Sequence, residues 1–353
     1  RMPANLSLLV YVDLIPETVA ILVSTDGIRF WTIPNSRAVQ QEVVGLLRDL
    51  GVSSNRAGTR MSTANDWPAS AHKLCQRLVP PEQLESIRGR KQVVVVPDGV
   101  LWYVPFELLL NDEPLKLDTG LSITYSPTPG LAFSNVETDP SNFGHDVALV
   151  SGKLLAPNDK TLEDELFQQV AGALGDQTRM PDRNEAIEYR FRNTSKNIVV
   201  LDFLRSSPTS MSLINRGRPD PISAWMRLPK RVPKSIFLPG FQSGSVQSPV
   251  GDGRDLFFTV AALHCSGVEQ VWISRWCVGG ESTALLMSEI LQELPYEKID
   301  VSCNRAVGML RRHRINPATE PLITGNDSQR NDIGGDHPLF WSGYLLSAPI
   351  QFD

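Results

Sequence analysis

Four cysteines and five histidines are the residues of this chain best suited to nucleophilic or metal chemistry, and their placement argues against both. Cys75, Cys265, Cys277 and Cys303 form no Cys-x-x-Cys pair, and His72, His145, His264, His313 and His337 show no metal-ligand spacing. No metal site and no cofactor are expected. A thiolate attacks a carbonyl only with an imidazole in hydrogen-bond reach and N–H donors for the oxyanion. Cys277 stands just beyond the carboxyl end of an apolar strand, but His264 precedes that strand at a helix end and falls on the opposite side. His264 and Cys265 are neighbours that point apart, His145 lies near the start of a strand at the wrong edge, and Ser243 has a hydroxyl but no base. The thiols read as reduced and mostly buried, packing as small hydrophobes. More telling is Ile236 to Gly244, where an apolar strand runs into Pro239-Gly240-Phe241-Gln242-Ser243-Gly244. Just past that strand stands Phe241, whose phenyl ring has no atom able to attack a carbonyl.

The elements that would position such residues are legible in several places. Leu8 to Val12 and Thr18 to Val23 precede an Asp26-Gly27 turn and Arg29 to Ile33, a β-meander signature in which glycine supplies the positive φ of a tight turn. Helical patterns follow around Ala38 to Leu50 and Pro68 to Leu78, the second closed by Pro80-Pro81. Gln92 to Val96 contains four consecutive valines and ends in Pro97-Asp98-Gly99, which predicts a strand buried on both faces. A second unit begins near Val147. It has strands over Val147 to Ser151, Asn197 to Phe203, Ser235 to Leu238 and Gln270 to Ser274, with helices over Leu162 to Leu174, Asp255 to Cys265 and Ser282 to Leu294. Such alternation implies parallel pairing in a layered α/β sandwich, whose functional loops gather at the carboxyl ends of the strands. Thr138 to Gly144 is polar and marks a boundary between residues 1–140 and 141–353. Asn316 to Asp336 reads as a polar, mobile loop.

Composition excludes some function classes. Hydrophobic residues make up 41% and charged residues 21% of the 353, the balance of a folded domain. With 34 basic and 39 acidic residues the formal charge is −5, so no global field favours nucleic acid or an anionic membrane. No apolar run approaches the roughly 20 residues that span a bilayer. Arg1 to Ser7 lacks the apolar core of a secretory signal. A cytoplasmic protein with neither nucleic-acid nor membrane partners is expected, and the abrupt start suggests a segment of something longer.

Several segments together resemble the CHAT domain, a caspase-like and separase-like peptidase domain often attached to tetratricopeptide repeats. Val93 to Leu109, with Pro97-Asp98-Gly99 and Pro105-Phe106-Glu107-Leu108-Leu109, resembles that family's strand, turn and "Pro-Phe-x-x-Leu" element. Gln270 to Val278 resembles its "strand-Ser-Leu-Trp-x-Val" segment, and Asp336 to Leu346 its closing "His-Pro-x-x-Trp" strand. The likeness runs in the family's order from about Leu8 to Ile350. It implies a caspase-like α/β/α sandwich with a mostly parallel central sheet, preceded by a smaller N-terminal subdomain of β-meander plus α/β. Residues 1–140 would be the N-terminal subdomain and 141–353 the caspase-like one. Most motif residues read as scaffold, His337 and Trp341 among them.

Members of that family cut peptides with a histidine base at the end of one strand and a cysteine at the end of the next. The resemblance puts Arg205, followed by Ser206, where the histidine is expected, and Phe241 where the cysteine is expected. Guanidinium has no acceptor lone pair and cannot serve as the base. Gly279-Gly280 stands where the family often carries an acid for a basic substrate side chain. No catalytic residue is therefore expected. The candidate cleft is made of Arg205, Ser206, Gly240, Phe241, Gln242, Ser243, Gly244, Trp276, Cys277, Gly279 and Gly280. The reading that follows is a non-catalytic module that binds a peptide or protein, with an active peptidase or tetratricopeptide repeats of the same polypeptide as partners. The alternatives are a cysteine endopeptidase with Cys277 as relocated nucleophile, and a purely structural domain that presents its neighbours.

Overall fold

The computed structural model describes residues 2–52, 66–111, 121–133, 147–156, 158–174, 178–179, 197–207, 210–211, 232–242, 251–276, 278–294, 296–321, 323 and 332–350. Strands β1 (Leu6–Asp13), β2 (Thr18–Ser24) and β3 (Gly27–Ile33) form an antiparallel meander. Helix α1 (Ser36–Asp49) starts at Asn35, whose side chain accepts from the Ala38 N–H. Helices α2 (Trp67–Leu78) and α3 (Pro81–Arg88) follow. Pro81 thus opens a helix that the sequence reading lacks, because its fixed φ and missing N–H suit a first turn. Strand β4 (Gln92–Val96), a 3-10 turn over Gly99–Tyr103 and the short helix α4 (Phe106–Leu110) lead to β5 (Ser122–Tyr125) and α5 (Pro129–Ala132).

The second half contains β6 (Val147–Ser151), α6 (Lys160–Gly172), β7 (Thr178–Arg179), β8 (Asn197–Leu201), β9 (Leu204–Ser207) and β10 (Ser210–Met211). It continues with β11 (Ser235–Leu238), β12 (Phe241–Gln242), α7 (Arg254–Cys265), β13 (Gln270–Ser274) and α8 (Gly280–Glu293). Last come α9 (Ile299–Leu310), β14 (Arg314–Ile315), β15 (Ile333–Gly334) and β16 (Tyr344–Ser347). Helix α9 is another element absent from the sequence reading. Its buried residues, Ile299, Ser302, Ala306 and Leu310, include only small or polar side chains between the two ends, so the apolar stripe is faint.

Strands of both halves join one 11-stranded sheet in the order β3-β2-β1-β4-β5-β16-β13-β11-β8-β6-β7. β1, β4, β5 and β16 run parallel to one another, as do β13, β11, β8, β6 and β7. The two sets meet head to tail where β16 pairs antiparallel with β13. The last described strand therefore sits in the middle of the sheet and joins its halves. Val93, Val94 and Val95 are fully buried. Side chains alternate across the pleat. Leu9, Tyr11, Val93 and Val95 join the main core, while Leu6, Leu8, Val10, Val94 and Val96 form a smaller cluster with Ala132 and Ile350.

The segment from Asn316 to Asp336, expected to be mobile, is in part built into the structure. A 3-10 turn over Pro317–Thr319 is tied to Glu281, whose carboxylate accepts from Asn316 N and Thr319 Oγ1. Glu320, the next residue, is only 6% exposed. Polar composition concealed this because the polar groups are satisfied internally.

Candidate functional site

Because β6, β8, β11 and β13 are mutually parallel, their carboxyl ends emerge at one edge of the sheet. Two of these strands continue beyond a bend. β8 passes through Asp202 and Phe203 into β9, and β11 passes through Pro239 and Gly240 into β12. β9 and β12 pair in parallel, with Phe241 opposite Leu204 and Gln242 opposite Arg205, and β10 adds an antiparallel third strand. Arg205 and Phe241 are thus carried on adjacent parallel strands, one residue out of register, with Ser206 following on β9. Ser243, Gly244 and Cys277 lie outside the described residues.

The local packing explains why the bends hold. Phe241 is 1% exposed and belongs to the main core. Its carbonyl accepts a 2.7 Å hydrogen bond from the fully buried Ser274 hydroxyl at the end of β13. Glycine at 240 is required by close approach: a Cβ there would lie 2.1 Å from the Asp202 carbonyl oxygen. Gly152, after β6, is in the same position, since a Cβ would lie 2.2 Å from that of Asp202. Asp202 itself accepts from the N–H groups of Phe203 at 2.9 Å and Lys153 at 3.2 Å. The Leu154 N–H donates to Leu201, and the Gly280 N–H donates to Leu154. Loops after all four strands are thus laced together, with no space for a Cβ at Gly152, Gly240 or Gly279.

Gly279 and Gly280 are glycines because neighbouring segments press against their backbone. A Cβ on Gly279 would stand 2.5 Å from the Leu154 carbonyl, and one on Gly280 would stand 2.4 Å from the Thr319 carbonyl and 2.9 Å from a Glu320 carboxylate oxygen. Gly280 also has φ +74°, where only glycine is free of strain. The strand lacks an acid at this point, but Glu320 brings one in from another segment. Its two oxygens accept from the N–H and the hydroxyl of Ser282, each at 2.8 Å, in the first turn of α8. Burial pushes its carboxyl up to about 8, against the lowering effect of those two bonds, and Glu281 adds to the rise. The sequence signal for this residue was weak, a lone glutamate in a polar stretch.

Arg275 is the second residue that sequence reasoning passed over. Its side chain is fully buried, and one guanidinium nitrogen donates to the carbonyls of Ser342, at 2.8 Å, and Tyr344. The other donates to Glu107 of α4 at 3.1 and 3.2 Å. The guanidinium lies 4.7 Å from the Tyr125 ring centroid, and the Tyr125 hydroxyl donates to Glu107 at 2.9 Å. An arginine closing a five-residue apolar strand was the available signal. Trp276 beside it is 1% exposed, packed so closely on Gly343 that a Cβ there would lie 2.9 Å from its Nε1.

Among the described residues, most of the remaining histidines and two of the cysteines are held in structural contacts. His264 meets the Val268 carbonyl through Nδ1 and the Ser347 hydroxyl through Nε2, both at 2.8 Å, and burial lowers its pKa. Ser347 is fully buried, and this imidazole–hydroxyl pair ties α7 to β16. Cys75 is buried against the Leu109 carbonyl, and burial raises the pKa of both Cys75 and Cys303. Cys265 is exposed, unlike the buried thiols expected. His337 caps the 3-10 turn over Pro338–Phe340 by accepting from the Leu339 N–H. Among the described residues, no group of three or more His, Cys, Asp or Glu stands together as a metal site. None of their helices is long and apolar enough to cross a membrane.

A large, mostly parallel sheet flanked by helices, with bent loops at the carboxyl ends of β8 and β11, defines a caspase-like cysteine-peptidase fold. The CHAT domain profile matches residues 68–195 and 222–349, more than half of the chain, and the chain belongs to that family. Separase in its complex with securin, from Saccharomyces cerevisiae, superposes with a TM-score of 0.57 at 8% identity, over 98% of this chain and 30% of the separase chain. This chain therefore spans under a third of the separase length, and the likeness is one of fold. The Arg-specific cysteine proteinase gingipain R aligns at a TM-score of 0.41 and 11% identity, over 88% of this chain and 75% of its own. The RgpB pro- and mature-domain complex of Porphyromonas gingivalis aligns at 0.42 and 9% identity, over 89% of this chain and 76% of that one. No curated protein sequence matches the chain.

Proposed function

We propose that this chain is a non-catalytic CHAT domain that holds a peptide or protein segment without cutting it. The observation that carries the reading is Phe241: a buried phenyl ring stands where the family's nucleophile is expected, its carbonyl held by Ser274. A carbon ring has no lone pair to attack a carbonyl. The family profile also passes over residues 196–221, the stretch that contains β8, β9 and Arg205, in keeping with a base motif that has departed from the family's. The extended backbone of β12, an outer strand of the three-stranded sheet, suits recognition by strand addition. Arg205 adds a permanently charged fork for a carboxylate or phosphate on the partner. A regulatory peptide, an active peptidase or tetratricopeptide repeats of the same polypeptide are partners of the right kind.

The test uses the purified chain with a fluorogenic peptide library, a peptide array and a peptide-based thiol electrophile read by mass spectrometry. The expected result is no turnover, saturable binding of a subset of array peptides, and no labelling of Cys277 in the folded protein. Turnover that disappears in Cys277→Ala, with selective labelling of Cys277 in the folded chain, would establish a relocated nucleophile instead. No binding and no turnover would leave a structural domain.

A further inference from the structure

We propose that β3 is a dimer interface, the edge to which a second copy of this chain adds its own β3 in antiparallel pairing. β3 ends the 11-stranded sheet, with β2 on one side and no strand on the other among the described residues. It shares no residue with the frame around Phe241, so the proposal stands apart from the peptide-binding reading. Its pairing with β2 fixes which backbone groups face outward. The two-residue turn Thr25-Asp26 closes on the Ser24–Gly27 pair, and the closing pair of such a hairpin exchanges both backbone hydrogen bonds. Bonded pairs recur at every second residue. Gly27, Arg29, Trp31 and Ile33 therefore turn their backbone groups to β2, and those of Ile28, Phe30 and Thr32 point away from the sheet.

An open edge is a template for another strand, and proteins that avoid pairing set charges, proline or a bulge along it. β3 has one charged residue, no proline and an unbroken register with β2. It exposes Ile28 at 71% and Phe30 at 77%, two of its three outward-facing residues. Their side chains extend the apolar row of Val23 and Ile21, their partners on β2, which pack on the smaller core cluster. The strand's own sequence selects a second copy as the occupant. About a two-fold axis at Phe30, Phe30 meets Phe30 of the second copy and Ile28 meets Thr32 of the second copy, each pair exchanging two backbone hydrogen bonds. On the other face Arg29, the one charge, stands opposite the Trp31 ring of the second copy, a cation against an aromatic group. Sliding by one bonded pair in either direction loses this match. Centred on Arg29, the two guanidiniums stand opposite each other; centred on Trp31, Ile28 meets Pro34, which has no N–H to donate. A pair of seven-residue strands falls below the roughly 1,200 Å² at which stable interfaces begin, so the dimer is reversible and weak.

Sedimentation equilibrium of the full chain from about 1 to 500 µM should show a monomer–dimer equilibrium. Phe30→Lys places two ammonium groups at the axis and weakens association at least about tenfold. Because Phe30 is largely exposed, the variant keeps the circular dichroism of the unmodified chain. Mild oxidation then tests the register, in a Cys265→Ser background that removes the exposed native thiol. Bonded antiparallel pairs hold their Cα atoms about 5.5 Å apart, inside the range of a disulfide, so Phe30→Cys closes a covalent dimer. Thr32→Cys does not, since its two copies stand four residues apart along the strands, about 13 Å. A monomer throughout the concentration range would overturn the proposal and leave the edge to a strand of another protein. So would a dimer indifferent to Phe30→Lys, or a disulfide that forms no faster in Phe30→Cys than in Thr32→Cys or in the Cys265→Ser background alone.

Discussion

Glu320 shows how a single ionisable group follows its surroundings. Its carboxyl is raised to about 8 by burial, while an unfolded chain would hold it near the ordinary value of 4.5. Between those values the folded chain keeps a proton that the unfolded chain has released. Stability contributed by this group is therefore full below about pH 4.5 and is lost as pH rises towards 8. The Glu320→Gln variant keeps an acceptor for Ser282 and has no proton to lose. Urea denaturation at intervals from pH 5 to pH 8 should show the unmodified chain losing more stability across the range than the variant. Parallel pH profiles would mean that Glu320 is ionised in the folded protein. Phe241 makes the complementary point, because its ring is inert and its effect comes through the space it fills.

At the scale of elements, the bends after β8 and β11 depend on contacts between backbones. Gly240 lets β11 turn across the Asp202 carbonyl, where a methyl group would sit 2.1 Å from oxygen. Backbone cannot swing aside as a flexible side chain does, so Gly240→Ala is expected to cost about 1–3 kcal/mol, the range for overpacking a close-packed site. Chemical denaturation measures the loss, and near-ultraviolet circular dichroism reports whether the aromatic core around Phe241 has shifted. Gly45 is a fair control, since it is helical and a Cβ there meets nothing within 4 Å. Gly45→Ala should leave stability unchanged or raise it by up to about 1 kcal/mol, through helix propensity. Equal losses at both positions would show that the bend is not tight.

Across the whole molecule, the two halves are joined by β16 between β5 and β13, and by Arg275 reaching Glu107 of the other half. A buried guanidinium that loses its carboxylate is left uncompensated, and breaking such a pair costs about 3–5 kcal/mol. Glu107 is 25% exposed, which places Glu107→Gln at the lower end, about 3 kcal/mol. The halves share one sheet, so the loss should appear in a single transition seen alike by tryptophan fluorescence and far-ultraviolet circular dichroism. Separated transitions, with only one displaced by Glu107→Gln, would show that the halves unfold independently.

Local pattern made much of this protein legible. The four valines of β4, the apolar runs of β11 and β13 and the meander at Asp26-Gly27 identify themselves because burial on both faces and positive φ select residue types directly. That Phe241 brings no nucleophile was visible for the same reason, since what a side chain is able to do is a property of its type. Long-range placement was not legible. Nothing in the run of residues around Glu320 says that it turns under α8, and nothing beside Arg275 says that its partner is Glu107, 168 residues away in sequence. Those contacts exist only once the sheet has brought distant segments together. The raised pKa of Glu320 and the fit of Gly279 and Gly280 are consequences of packing, which the chain specifies as a whole and no local segment records.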